Sequence, residues 1–205
     1  MQKGFFIVIE GMDGSGKSTQ SQLLFKDLKE KMKDVIFTFN PTAGPIGKLL
    51  TEQYLKHKDL PVADAFLFCA DRAEHVKEVV LPALEKKMVV ICDRYYHSTL
   101  AYQQTQGLPL QWLIELNSRF PKPDLTIFID VPAEVCMKRM ENDPAEKRKP
   151  NNRMKFEKLE FLKKLRSNYL QLPNVLKNEK IVVVDGNRSL EEVYADIMKE
   201  VEKLF

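Results

Sequence analysis

The octapeptide Gly11-Met12-Asp13-Gly14-Ser15-Gly16-Lys17-Ser18 fits the pattern G-x-x-x-x-G-K-[ST], and it constrains the fold of this 205-residue chain more tightly than any other feature. Such a match arises by chance roughly once in a hundred chains of this length. The pattern requires a strand before it and a helix after it. FFIVIE (5–10) supplies the first, and Lys17 to about Lys33, free of Gly and Pro and repeating Leu23, Leu24, Leu28 and Met32, supplies the second. Glycines let the backbone curl until several N–H groups face one anion, and the helix N-terminus adds a favourable dipole. In such a cradle Gly11, Asp13, Gly14, Ser15, Gly16 and Thr19 surround the phosphates of ATP. Lys17 bridges the β- and γ-phosphates, and the Ser18 hydroxyl ligates Mg²⁺. The dinucleotide pattern G-x-G-x-x-G starts at Gly14 but meets Thr19 where its third glycine belongs, which argues against a nicotinamide enzyme.

The remaining apolar runs follow the same plan. VIFTF (35–39), MVVICD (88–93), LTIFID (125–130) and KIVVVD (180–185) are near-continuous, as suits strands buried on both faces of a parallel sheet. Three end on Asp93, Asp130 or Asp185, at the strand edge where open α/β sheets bind ligands. Between them, Phe66, Ala70, Ala73, Val76 and Val80 predict a helix over 62–86, kinked at Pro82. A last helix carries Leu190, Val193, Tyr194, Ile197, Met198, Val201 and Leu204, with Ser189 and Glu192 as its capping box. The expectation is one α/β domain over 1–205, a doubly wound P-loop NTPase fold with about five parallel strands flanked by helices.

Net charge is only +3, but residues 138–166 hold eleven Lys/Arg against five Asp/Glu. Their middle, 143–153, reads as a mobile basic loop between helices. The three cysteines form no metal or CxxC spacing, so a reducing, cytoplasmic setting is expected. No apolar run exceeds six residues, too short for a membrane span. The opening residues read as a strand rather than a secretory leader. No N-K-x-D guanine-reading motif occurs, and the length is short for a motor or transporter ATPase, which leaves a small-molecule phosphotransferase.

Phe68 and Arg72, one turn apart, share a helix face that could stack a base and hold a phosphate. Asp93-Arg94-Tyr95 ends a strand, followed by Ser98, Thr99, Tyr102 and Gln103, a set suited to a base and sugar. Together with GxDGSGKST (11–19), ADRAEHV (70–76), DRYYHSTLAYQ (93–103), KPDLTIFIDVP (122–132) and DGNRSLEEV (185–193), these make the chain resemble the thymidylate kinase family. The resemblance implies transfer of the ATP γ-phosphoryl group to dTMP, with Mg²⁺, in a homodimer that binds neither nucleic acid nor membrane. It implies that Asp13 meets the sugar 3′-hydroxyl, that Phe68 stacks on thymine and that Arg72 and Arg94 hold base edge and acceptor phosphate. Thr99 falls on the base, and Gln103, Phe39 and Pro41 line the same dTMP pocket. Tyr102 crowds the sugar 2′ position, Asp93 lies near Mg²⁺ and Arg139 supports adenine. The family's lid matches 143–153. With Gly14 in the P-loop where some members carry arginine, the lid delivers the catalytic cation, Arg153 aligning best, then Arg148 and Lys147.

Two departures stand out. The family's acid–arginine–aromatic–acid lid motif reads Asn152-Arg153-Met154-Lys155 here, and Phe39-Asn40-Pro41-Thr42 lacks the usual arginine. The second keeps open a kinase of another monophosphate, such as dUMP, dGMP or dCMP. A deoxynucleoside kinase and a silent nucleotide-binding regulator are the more distant alternatives.

Overall fold

The computed structural model describes residues 4–31, 34–56, 60–142 and 159–205. Its centre is a five-stranded, wholly parallel sheet in the order β2-β3-β1-β4-β5. These are β1 (Phe5–Gly11), β2 (Val35–Phe39), β3 (Val89–Asp93), β4 (Leu125–Asp130) and β5 (Ile181–Asp185). The inner strands are covered on both faces, with Ile7, Val8 and Ile9 completely buried. Strands β2 and β5, expected to be buried likewise, lie at the sheet edges and leave Phe39 and Val183 exposed. Register brings the functional edge together. Asp93 stands opposite both Ile9 and Phe39, and Asp130 stands opposite Asp185.

Helix α1 (Lys17–Lys31) packs on β1, β2 and β3, burying Leu24 and Leu28. Helices α2 (Pro45–Lys56) and α3 (Pro61–His75) pack on each other. The helix expected over 62–86 runs without a break from Pro61 to Glu85, but it changes its winding on the way. A π-helical turn (Val76–Val80) separates α3 from α4 (Leu81–Glu85). Proline lacks the N–H that helix geometry needs and its ring crowds the preceding turn, so the wider turn just before Pro82 is where that mismatch is absorbed.

The chain continues through α5 (Tyr96–Thr105), α6 (Leu110–Asn117), α7 (Ala133–Asn142), α8 (Leu159–Val175) and α9 (Leu190–Val201). Helix α9 has the capping box read from Ser189 and Glu192, and it buries Val193, Ile197 and Val201. Cys69 is half-buried, Cys92 and Cys136 are buried, and all three are free thiols. Trp112 packs edge-on against Phe66, their ring centres 5.7 Å apart. Among the described residues no helix is long and apolar enough to cross a membrane. The expected lid at 143–153, with Arg148 and Arg153, lies outside the described residues.

Candidate active site

The turn from β1 into α1 has the geometry that its glycines predict. Gly14 and Gly16 take positive φ values of 81° and 89°, which side chains other than glycine rarely adopt. A Cβ at Gly14 would also come within 2.5 Å of the Cys136 carbonyl oxygen, so an arginine has no room at this position. Ser15 is buried, and its hydroxyl has no hydrogen-bond partner among the described residues. Gly11, Met12 and Ser15 are buried at the base of the loop, whereas Asp13, Gly16, Ser18 and Thr19 face outward.

Two cations converge on one carboxylate. Lys17 Nζ lies 3.1 Å and Arg94 Nη2 2.5 Å from Asp13 Oδ1. Tyr102 adds its hydroxyl at 3.3 Å from Asp13 Oδ2, and its ring lies under the Arg94 guanidinium at 5.2 Å. Desolvation in the cleft pushes the Asp13 carboxyl upward, but the charges of Arg94 and Lys17 overcome this and hold it well below the usual carboxylate range. Burial works against the charge of Arg94, and Tyr102, Asp13, Tyr169 and Glu10 more than restore it. The site is therefore cationic at neutral pH, with two positive side chains sharing one negative oxygen.

Beside this pair, Ser18 donates to Asp93 Oδ2 at 2.6 Å, joining the first turn of α1 to the end of β3. Asp93 Oδ1 is buried with no hydrogen-bond partner among the described residues. A hydroxyl next to an unsatisfied carboxylate oxygen suits a hard cation that keeps most of its ligands as water and phosphate. No cluster of three His, Cys, Asp or Glu side chains suited to a metal occurs among the described residues.

Arg94 itself has φ of 70°, a left-handed conformation for a non-glycine residue. Such a conformation costs about 1–3 kcal/mol and persists only when its surroundings impose it. Here the Arg94 N–H donates to the Ile9 carbonyl, the Cys92 thiol donates to the Arg94 carbonyl, and the guanidinium is bound by Asp13, Ser98, Tyr102 and Tyr169.

On α3, Arg72 is fully buried. It donates to Asn117 Oδ1 at 2.6 Å and to Thr99 Oγ1 at 2.9 Å, between the rings of Tyr95 and Phe120. No carboxylate among the described residues forms a salt bridge with it, and its Nε is unsatisfied. Burial lowers its pKa, an effect partly offset by Tyr95, Cys69 and Glu10. A cation held this way carries unspent charge and hydrogen-bonding capacity toward a ligand. Phe68, half-buried, stands one turn earlier on the same helix. Gln103 is wholly buried and donates to Gln106 Oε1. Arg139 reaches from α7 toward the carbonyls of Gly14 and Gly186 at 3.4–3.5 Å, spanning the P-loop and the end of β5.

Of the residues expected in the dTMP pocket, Phe39, the last residue of β2, is exposed and Pro41 half-buried, with a cis peptide between Asn40 and Pro41. Asp71 and His75, assigned no role from the sequence, brace the chain around them. Asp71 accepts from Thr42 through both its N–H and its hydroxyl. His75 bonds Thr38 at 2.6 Å and Asn40 at 3.1 Å, and burial pushes its pKa down to about 4, so it is a neutral strut. His97 is buried against Glu179. Nothing local marked Glu10, Asp71, Asn117 or Tyr169.

The family model for thymidylate kinase matches residues 9–197. A probable thymidylate kinase from Pyrococcus abyssi is 45% identical over 203 residues, covering 96% of this chain and 95% of its own length. The corresponding protein of Staphylothermus marinus is 39% identical, over 96% and 94% of the two chains. A thymidylate kinase from Kosmotoga olearia is 37% identical, over 95% and 94%.

Proposed function

This chain belongs to the thymidylate kinase family, and from that premise we propose that it transfers the γ-phosphoryl group of ATP to dTMP, giving ADP and dTDP. The observation that carries this reading onto the chain's own side chains is the meeting of Lys17 and Arg94 at Asp13, one cation from the phosphate cradle and one from the end of β3. Two anions that repel each other must be brought end to end, and a cation on each side of the junction does that.

The acceptor phosphate needs no general base, because its second pKa is about 6 and an oxygen is already ionised near neutral pH. The protein's task is positioning and charge neutralisation. Gly11, Gly14, Ser15, Gly16, Lys17, Ser18 and Thr19 take the ATP phosphates, and Arg139 the adenine side. Phe68 stacks on thymine, with Arg72 and Thr99 at the base edge. Arg94 holds the acceptor phosphate. Asp13 exchanges its cations for the sugar 3′-hydroxyl, and Tyr102 beside it crowds a 2′ substituent. Phe39, Pro41 and Gln103 complete the acceptor pocket. Ser18 and Asp93 would hold Mg²⁺, which when bound supplies charge that neutralises the transferring phosphates. The exclusion of an arginine at Gly14 supports a cation arriving from elsewhere, for which Arg153 and Arg148 are the sequence's candidates.

The names of the relatives do not favour another monophosphate as substrate. A coupled ADP-release assay across dTMP, dUMP, dGMP and dCMP tests this. The expected result is a kcat/KM highest for dTMP. A higher value for any other acceptor overturns the assignment.

We further propose a homodimer through α3. Leu60, Val62 and Phe66 are each about half exposed, and Val62 and Phe66 share one helix face. An apolar patch of this kind on an enzyme surface suits a self-complementary two-fold contact. Light scattering on the eluting protein is expected to give a dimer, and Phe66→Glu a monomer. A wild-type monomer at working concentration contradicts this.

A further inference from the structure

We propose that Glu10, the penultimate residue of β1, is a positioning residue for Arg94. This rests on the reading of Arg94 as the acceptor-phosphate residue. Glu10 is completely buried, yet its carboxylate is fully used. Oε1 accepts from the backbone N–H of Tyr95 at 2.7 Å and of Ser98 at 3.1 Å. Oε2 accepts from the Ser98 hydroxyl at 2.6 Å and the Tyr169 hydroxyl at 3.0 Å. Tyr95 precedes α5 and makes no side-chain cap, so a carboxylate from a different element caps that helix. A negative charge at a helix N-terminus is favourable, and here it also fixes the backbone immediately after Arg94.

The proton inventory carries the argument further. Arg94 Nη1 donates to Ser98 Oγ at 3.0 Å and to Tyr169 Oη at 3.4 Å. Guanidinium nitrogens only donate, so both hydroxyls must accept from Arg94 and spend their own hydrogens elsewhere. The two hydroxyl oxygens also lie 2.9 Å apart, where either could donate to the other. The Glu10 carboxylate, acceptor only and within reach of both, is the partner that can take both hydrogens at once. Its charge thus orients two hydroxyl dipoles with their oxygens toward Arg94 and their hydrogens away. An amide at this position breaks the pattern. Its NH₂ group would donate to the same hydroxyls, which would then turn a hydrogen toward the guanidinium. Arg94, already in a left-handed conformation, would lose the partners on one side of its fork.

The test is Glu10→Gln, with kcat and the two KM values measured separately. A fall in kcat of about 10²-fold is expected, since a misplacement on the order of 1 Å costs that much. The KM for dTMP should rise while the KM for ATP stays within about twofold. In an Arg94→Ala background, Glu10→Gln should cost nothing more, because the two residues act as one unit. If Glu10→Gln does not fold, the double variant Ser98→Ala/Tyr169→Phe, which keeps the carboxylate, is held to the same criteria. A folded variant with wild-type kcat and dTMP KM overturns the inference, as does an equal change in both KM values, the mark of a merely structural role. Arg94→Ala measured alongside separates the two claims. If it is active, the reading of Arg94 fails; if it is inactive while Glu10→Gln is unimpaired, only the role of Glu10 fails.

Discussion

Replacing Arg94 with alanine lowers kcat for dTMP phosphorylation by about 10³-fold or more, the scale on which an arginine stabilises a phosphoryl-transfer transition state. The geometry explains so large an effect. Arg94 is held by Ser98, Tyr102 and Tyr169 as well as by Asp13, so its fork stays set when Asp13 turns to the sugar, and no reorganisation is needed as charge develops. A lysine could not replace it, lacking the planar fork that takes two phosphate oxygens. ATP affinity, measured by titration of the purified variant, should be nearly unchanged, because in the proposed reading the phosphate cradle is built by the β1–α1 turn and Lys17, not by Arg94. A rate within tenfold of wild type removes Arg94 from the mechanism.

Lys17→Ala is the second large loss, expected on the same scale but with the opposite kinetic signature. Lys17 is nearly buried, springs from the first residue of α1 and contacts Asp13. In the proposed mechanism its ammonium is the charge that follows the γ-phosphoryl group during transfer. Turnover should fall by about 10³-fold, with a marked rise in the KM for ATP and little change in dTMP binding. Thermal midpoints should stay close to wild type, since Asp13 retains Arg94. Near-normal turnover in a folded Lys17→Ala protein contradicts the assignment of the P-loop.

The sequence made the sheet legible because the three inner strands are buried on both faces and the two edge strands, though half open, still read as near-continuous apolar runs. The bounds of β2 and β4 follow residue by residue from VIFTF and LTIFID. The phosphate cradle was legible for a different reason: glycine adopts its positive φ angles without strain and other residues rarely do, so local chemistry marks it. Helix α5 was harder. Its start at Tyr96 carries no local signal, because the cap is Glu10, more than eighty residues away in sequence. The π turn before Pro82 was equally hidden, since a proline within an amphipathic run signals a disturbance without saying how the chain resolves it. Arg72 could be placed on a helix face from spacing. That it is buried without a carboxylate, between Asn117, Thr99 and two rings, depended on packing between α3, α5 and the end of α6.

The central claim is that this fold sets a cation on each side of a junction between two nucleotides. A crystal of the protein with dTMP, Mg²⁺ and a non-hydrolysable ATP analogue tests it most directly. The account predicts the dTMP phosphate within hydrogen-bonding distance of Arg94, thymine against Phe68 and Arg72, and the analogue's γ-phosphate on Lys17. It also predicts that Asp13 has left Arg94 for the sugar 3′-hydroxyl. An empty cleft beside Arg72 and Arg94, with dTMP bound elsewhere or not at all, would contradict it.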